Sequence, residues 1–281
     1  MRKQAWSWLL AAGLAAAGLA DTSAAPILAL TSGNVLVRFD SATPGSFTGV
    51  VTVTGLAPGE SLVGIDVRPM TLQVYALGAT AAGTGRLYLL NPNTGAASLV
   101  GTLAADPTDI SSPYSVLGGT RFGIDFNPVP DRLRVVSDSG LNLRINPNSA
   151  LVITDGALNG AATGVGAAAY INSYAGATLT VLYDLDAVSD TLLVQNPPNN
   201  GTLALVGALG VNATDAIGFD ILASGGVNTA FATLQAGGVT GLYTINLDTG
   251  AATLVGNLAS SPTVLEIALL APDLLYANGF E

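Results

Sequence analysis

Three aspartates occupy the same position of a short repeated motif, which makes them the first candidates for chemistry. The motifs are Gly64-Ile65-Asp66, Gly123-Ile124-Asp125 and Gly218-Phe219-Asp220. If the fold brings these segments together, three carboxylates could bind a cation such as Ca²⁺ or act as general acid and base on a glycan. The alternative is structural: each aspartate accepts backbone N–H bonds within its own unit, and this role recurs because the unit recurs.

A pair of arginines is the second candidate site. Arg132 and Arg134 are two positions apart in a strand-like run, so their side chains are predicted to point to the same face. Two guanidinium groups on one face could hold a carboxylate or phosphate of a ligand or partner. Salt bridges to the neighbouring aspartates Asp125, Asp131 and Asp138 are the alternative.

A third acidic group, Asp184, Asp186 and Asp190, has the composition of a calcium loop. It lacks the glycine and glutamate positions of an EF-hand. We therefore interpret it as a solvated turn.

Composition removes most other chemistry. The 281 residues include no histidine and no cysteine, which excludes Ser-His-Asp and Cys-His nucleophilic sites, zinc sites built on those side chains, and disulfides. No cofactor is predicted, with Ca²⁺ as the ion that the aspartates could hold. The net charge of −10 disfavours nucleic acid as a partner, because such a surface repels phosphate backbones.

The elements that would position these residues are short strands in a repeating unit. A β-rich run, an Asn/Asp-Thr-Gly turn and a second β-rich run occur at 85–101 and again at 241–256. Leading strands around Gly64, Gly123, Gly166 and Gly218 precede such hairpins at spacings of 59, 43 and 52 residues, close to the length of a four-stranded propeller blade. In this alignment Ala168 and Ala268 occupy the aspartate position of the remaining two units.

The ends of the chain complete the repeat. Residues 27–56 supply three strands and lack a leading one, and the run from Glu266 to Leu270 reads as the missing strand. Pairing the two would close the ring without an open sheet edge. The sequence therefore predicts an all-β, propeller-like ring of five four-stranded blades, or six if 104–120 hides further strands.

The N-terminus has the pattern of an export signal. Arg2 and Lys3 precede an uncharged run from Ala5 to Leu19, with small residues at the candidate cleavage sites. We expect a cleaved signal at 1–25, a single domain at 26–273 and a tail at 274–281. Cleavage that removes Arg2 and Lys3 but leaves Asp21 would take the net charge to about −12. The expected location is periplasmic or extracellular, with no membrane span after cleavage.

Several segments together resemble a known family. They are the GIDxRP and GxDFNP strands, the hairpin at 85–101, the run Asp131–Pro147 and the segment Gln195–Gly210. This combination is similar to the exported bacterial proteins catalogued as domain of unknown function 4394, over about residues 27 to 270. The resemblance implies a propeller-like body and export, and it supplies no catalytic residues.

Two functional hypotheses follow. The first is a non-enzymatic exported module or scaffold, expected to be a monomer, that binds a protein, a glycan or a surface component through loops at one end of the ring. The second is a carboxylate-based glycan hydrolase or lyase that uses Asp66, Asp125 and Asp220. Carboxylates far apart, or fully engaged by backbone N–H groups, would argue against the second.

Overall fold

The computed structural model describes residues 24–161, 164–214, 217–260 and 262–270. Most of the predicted export signal and the predicted C-terminal tail lie outside these residues. The described chain forms five separate sheets of four or five strands each. Its single short helix is a 3-10 turn at Pro198–Asn200, and none of its helices is long and apolar enough to cross a membrane.

Blade 1 joins the two ends of the chain. Its sheet has the order β22-β1-β2-β3, in which the last strand pairs antiparallel with the first. The strands are β1 (Pro26–Thr31), β2 (Val35–Asp40), β3 (Phe47–Thr52) and β22 (Val264–Leu269). The predicted closure is therefore confirmed.

The other blades are consecutive antiparallel meanders. Blade 2 contains β4 (Glu60–Arg68), β5 (Gln73–Thr80), β6 (Gly85–Leu90) and β7 (Ala97–Thr102). Blade 3 contains β9 (Phe122–Asn127), β10 (Arg132–Ser137), β11 (Asn142–Ile145) and β12 (Leu151–Thr154). Blade 4 contains β14 (Val165–Tyr170), β15 (Leu182–Asp186), β16 (Thr191–Gln195) and β17 (Thr202–Ala208). Blade 5 contains β18 (Ile217–Ser224), β19 (Val227–Ala236), β20 (Val239–Ile245) and β21 (Ala252–Asn257).

The blade count is five, as the repeat predicts. The long insert contributes only β8 (Ala104–Ala105), which adds to the outer edge of blade 3 by parallel pairing with β12. A similar two-residue strand, β13 (Asn159–Gly160), adds to the outer edge of blade 4. The insert thus extends an existing blade and does not form a sixth.

The core is divided among the five contacts between neighbouring blades, with one apolar cluster in each. Four of these clusters contain 11 to 14 buried residues, whereas the cluster between blades 3 and 4 contains 7. That contact must therefore rely more on polar side chains, and it is where Arg134, Tyr170 and Asp184 are buried.

The leading glycines of the repeat let the innermost strands approach one another. A Cβ placed on Gly123 would lie 2.4 Å from the backbone nitrogen of Ala168 in blade 4, and one on Gly218 would lie 2.8 Å from that of Ile267. Neither distance allows a side chain without movement of the neighbouring blade. At these two positions backbone meets backbone beside the axis of the ring, whereas at Gly64 and Gly166 the nearest atoms belong to the side chains of Ile124 and Arg121.

We expect Gly123→Ala to destabilise the ring by about 1–3 kcal/mol, the usual cost of overpacking, because the added methyl group meets backbone that cannot rotate away. Gly118→Ala is the control, since its Cβ would lie 3.5 Å from the nearest atom, Ser139 Oγ. Urea unfolding of the two variants measures the difference. Equal stabilities would contradict this account of the leading glycine.

Candidate functional site

The three recurring aspartates meet on the axis of the ring. Asp66, Asp125 and Asp220 are on the innermost strands of blades 2, 3 and 5, and each presents a carboxylate oxygen within 4.8 Å of the other two. All three side chains are buried. The motif alignment thus located a real cluster, assembled by residues 154 positions apart in the chain.

Each aspartate also fastens its blade to the next one. Asp66 accepts the N–H of Val67 in its own strand at 2.6 Å and that of Phe126 in blade 3 at 2.7 Å. Asp220 repeats the arrangement with Ile221 in its own strand and Leu269 in blade 1, both at 2.6 Å. The structural alternative predicted backbone N–H bonds within one unit only, whereas half of the N–H bonds to Asp66 and Asp220 come from the neighbouring unit.

Asp125 follows the same pattern incompletely. It accepts the N–H of Tyr170 in blade 4, but its Oδ1 atom has no hydrogen-bond partner, although the residue is 1% exposed. Because Asp125 bonds to the residue after Ala169, the structural counterpart of the aspartates in blade 4 is Ala169. The motif alignment had placed Ala168 there. The register shift between Val165 and Ala167 explains the one-residue difference.

Glu266 is the axial residue that the sequence did not identify as functional. Its Oε1 accepts the N–H groups of Phe219 at 3.0 Å and Ile267 at 3.1 Å, and its Oε2 accepts that of Ile124 at 3.4 Å. It is fully buried. The acidic residue that begins the otherwise apolar run Glu266–Leu270 is the indication in the sequence, where this run predicts only the closing strand.

The axis favours neutral carboxyls or a compensating cation. Burial raises the pKa of Asp66 well above its ordinary value, and the nearby charge of Asp220 adds to this effect. Burial, followed by the charges of Asp66 and Asp220, likewise raises the pKa of Asp125. Burial raises the pKa of Asp220 to about 6 against the lowering effect of its two N–H bonds, and burial also raises the pKa of Glu266.

Two small cavities lie among the innermost strands, and only the first has axial carboxylates in its walls. One, of about 50 Å³, is lined by Asp66 and Asp220 together with Pro69, Leu72 and Ser173. Another, of about 60 Å³, is lined by Arg121, Phe122 and Leu265. Both have room for a few water molecules. They are far smaller than the roughly 300–1,000 Å³ of pockets that take organic ligands.

The two candidate arginines lie in different environments. Arg134 is 1% exposed, and its guanidinium donates to Tyr170 and Asn199 of blade 4 and to Asn142 and Asp155 of its own blade. Arg132 donates to the backbone carbonyls of Pro130 and Asp131. A ligand held by both arginines would have to displace the internal bonds of Arg134, so the geometry lends the anion site no support.

Salt bridges account for other charges of the arginine-rich unit. Arg121 pairs with Asp138 at 3.5 Å, and Arg144 pairs with Asp155 at 2.7 Å. Asp131 pairs with Arg68 of blade 2. These pairs are salt bridges of the kind that was predicted as the alternative to an anion site, although Asp155 and Arg68 were not among the predicted partners.

The interpretation of the third acidic group as a solvated turn is wrong for two of its members. Asp184 and Asp186 are 0% and 1% exposed. Asp186 accepts the N–H groups of Gly164, Val188 and Ser189, which explains its burial. Neither carboxylate oxygen of Asp184 has a hydrogen-bond partner, and burial raises its pKa to about 8 despite the opposing charge of Arg134.

A larger concavity lies at one end of blade 2. This groove, of about 460 Å³, is formed by the β4–β5 turn, the ends of β5 and β6, and the hairpin turn before β7. Its lining combines hydroxyl and amide groups with aliphatic side chains and includes no ionisable group. The lining residues are Thr71, Leu72, Gln73, Val74, Leu89, Leu90, Asn91, Pro92, Ala96 and Ser98. Leu72 separates the groove from the axial cavity, because it lines both.

The fold and site define a five-bladed propeller with a closed, acidic axis. The chain belongs to the family described as "Domain of unknown function (DUF4394)", whose model matches residues 35–268. The resemblance found in the sequence is thereby confirmed. None of the curated proteins compared with the chain matches it.

Several solved structures match the chain at low sequence identity. AofleA from Arthrobotrys oligospora is 12% identical, with a TM-score of 0.51 over 87% of this chain and 74% of that one. Glutaminyl cyclase from Myxococcus xanthus is 15% identical, with a TM-score of 0.40 over 79% of this chain and 75% of that one. The major allergen Mala s 1 of Malassezia sympodialis is 10% identical, with a TM-score of 0.41 over 79% and 72% of the two chains. At this identity, only the likeness to AofleA supports the fold, and none of the three bears on function.

We expect Arg134→Met to destabilise the protein by about 3 kcal/mol, because it removes the buried hydrogen bonds that the guanidinium donates to Tyr170, Asn142, Asp155 and Asn199. Arg132→Met should change stability by less than about 0.5 kcal/mol, since it removes only bonds to turn carbonyls near the surface. Chemical denaturation of both variants tests this. A larger effect at position 132 would contradict the assignment of Arg134 as the polar centre of the contact.

The pKa of Asp184 predicts a pH-dependent effect of Asp184→Asn. In the unfolded chain an aspartate has a pKa near 3.9, so the folded protein binds the additional proton between about pH 4 and pH 8 and loses stability as pH rises through this range. The asparagine variant lacks this loss. Its stability relative to the parent should therefore rise between pH 5 and pH 8, by up to about 4 kcal/mol. Free energies of unfolding at the two pH values provide the measurement, and a constant difference would refute the prediction.

Proposed function

We propose that this protein is an exported, non-enzymatic binding module that takes an uncharged segment of a glycan in the groove of blade 2. One observation carries the proposal: the groove has the volume of a ligand pocket and contains no ionisable side chain. General acid–base and covalent catalysis by protein side chains need titratable or activated groups next to the substrate. A groove without them is suited to binding.

The lining favours a neutral polyhydroxylated ligand. Thr71, Gln73 and Ser98 are exposed and offer hydroxyl and amide groups, whereas the half-buried Leu72 and Leu89 offer aliphatic surface. Sugar rings present hydroxyl groups at their edges and C–H groups on their faces, so this mixture suits them. The acidic surface of the protein would repel a strongly anionic glycan.

The alternative of a carboxylate-based hydrolase or lyase is disfavoured by the axis. Asp66, Asp125 and Asp220 do lie close together, but both oxygens of Asp66 and of Asp220 accept backbone N–H groups. The adjoining cavity of about 50 Å³ is too small for a sugar residue. No glycosidic bond can therefore reach these carboxylates without opening the ring.

We expect the purified mature chain to bind neutral oligosaccharides on a glycan array, and Ser98→Trp to weaken binding of the positive glycans at least tenfold by filling the groove. Thr253→Trp is the matched control, because Thr253 is exposed at the corresponding position of the β20–β21 hairpin in blade 5. Titration calorimetry measures both affinities. The proposal fails if no neutral glycan binds, or if the two variants lose affinity equally.

A further inference from the structure

We propose that Asp66, Asp125 and Asp220 bind one divalent cation of the hard, oxygen-preferring class represented by Ca²⁺, and that this ion joins blades 2, 3 and 5 at the axis. The inference is independent of ligand binding in the groove. It concerns a structural ion, so it requires no catalytic role for the aspartates.

The spacing of the three carboxylates suits one ion. Ca²⁺ lies about 2.3–2.6 Å from its oxygen ligands, so two oxygens that share it are at most about 5 Å apart. The three oxygens of the cluster satisfy this condition, since all lie within 4.8 Å of one another. The ligands come from three separate blades, and an ion between them would therefore oppose opening of the ring.

The unpartnered oxygen of Asp125 is a second, independent indication. Asp125 is only 1% exposed, and its Oδ1 atom accepts no hydrogen bond. An ionised oxygen left dry and unbonded is unfavourable. Each oxygen of Asp66 and Asp220 already accepts one N–H group, but a carboxylate oxygen has a second lone pair available for a metal.

The charged side chains around Asp66, Asp125 and Asp220 do not neutralise the charge of these three carboxylates. Arg134 is opposite Asp125 in the β9–β10 ladder, yet its guanidinium donates to Tyr170, Asn142, Asp155 and Asn199. Glu266 adds a further acidic group to the axis, and its own oxygens are occupied by three backbone N–H groups. A bound dication would offset much of the negative charge that these groups carry when they are ionised.

The adjoining cavity supplies access and room for water ligands. It has a volume of about 50 Å³ and includes Asp66 and Asp220 in its walls. Ca²⁺ takes six to eight oxygen ligands and commonly completes its shell with water. The absence of histidine and cysteine from the sequence further favours Ca²⁺ or a similar hard ion over the softer transition metals.

The test is Ca²⁺ binding by the whole mature chain after treatment with a chelator. We expect titration calorimetry or equilibrium dialysis to give one Ca²⁺ per chain, and a thermal scan to show a higher melting temperature with Ca²⁺ than with chelator. Asp125→Asn should weaken binding at least tenfold and remove most of the thermal shift. Its amide oxygen can still accept the N–H of Tyr170, so the ring contact is retained.

Asp184→Asn is the matched control, because Asp184 is equally buried but lies outside the cluster. It should leave the stoichiometry and affinity for Ca²⁺ unchanged. The proposal is overturned if the parent chain binds no Ca²⁺ at 1 mM, an upper concentration chosen because weak extracellular sites bind at about 10⁻⁴–10⁻³ M. It is also overturned if Asp125→Asn binds as tightly as the parent. Either result would leave the glycan proposal standing.

Discussion

The ring depends on hydrogen bonds from the free edges of its innermost strands to carboxylates on the axis. Each innermost strand pairs with a neighbour on one side only, and its other edge faces the buried centre of the ring. Backbone N–H groups buried there need acceptors. Asp66, Asp125, Asp220 and Glu266 provide them, and several of these bonds cross from one blade to the next. The acidic axis is therefore first a means of joining blades.

That use of carboxylates has an electrostatic consequence. Side chains that satisfy backbone donors well also bring negative charge together where water cannot screen it, so their pKa values rise and the ionised forms become unfavourable. Protonation of the carboxylates or binding of a cation would remove this unfavourable concentration of negative charge. The oxygen of Asp125 that accepts no hydrogen bond is open to either, because the backbone has left this acceptor unoccupied. The proposed cation site is thus compatible with the structural role of the axis.

The same physical reasoning separates the polar contact between blades 3 and 4 from a binding site. With few apolar residues available, this contact uses Arg134 as a branched donor to both blades. All three guanidinium nitrogens of Arg134 donate hydrogen bonds in that role. The proposed ligand recognition uses a surface that the fold leaves open, the groove of blade 2. In that proposal, blade packing and recognition are carried by different residues.

The sequence by itself determined the repeat, the closing strand and the recurring aspartates, and it limited the number of blades to five or six, because strand length, turn residues and leading glycines are local properties of each unit. Tertiary structure decided which polar groups remain accessible. Arg132 and Arg134 look equivalent along a strand, yet only Arg134 is enclosed by the neighbouring blade. Glu266, the burial of Asp184 and the one-residue shift to Ala169 likewise depend on contacts between units distant in sequence. Burial and hydrogen bonding across blades are set by how the ring closes, and no single repeat encodes that closure.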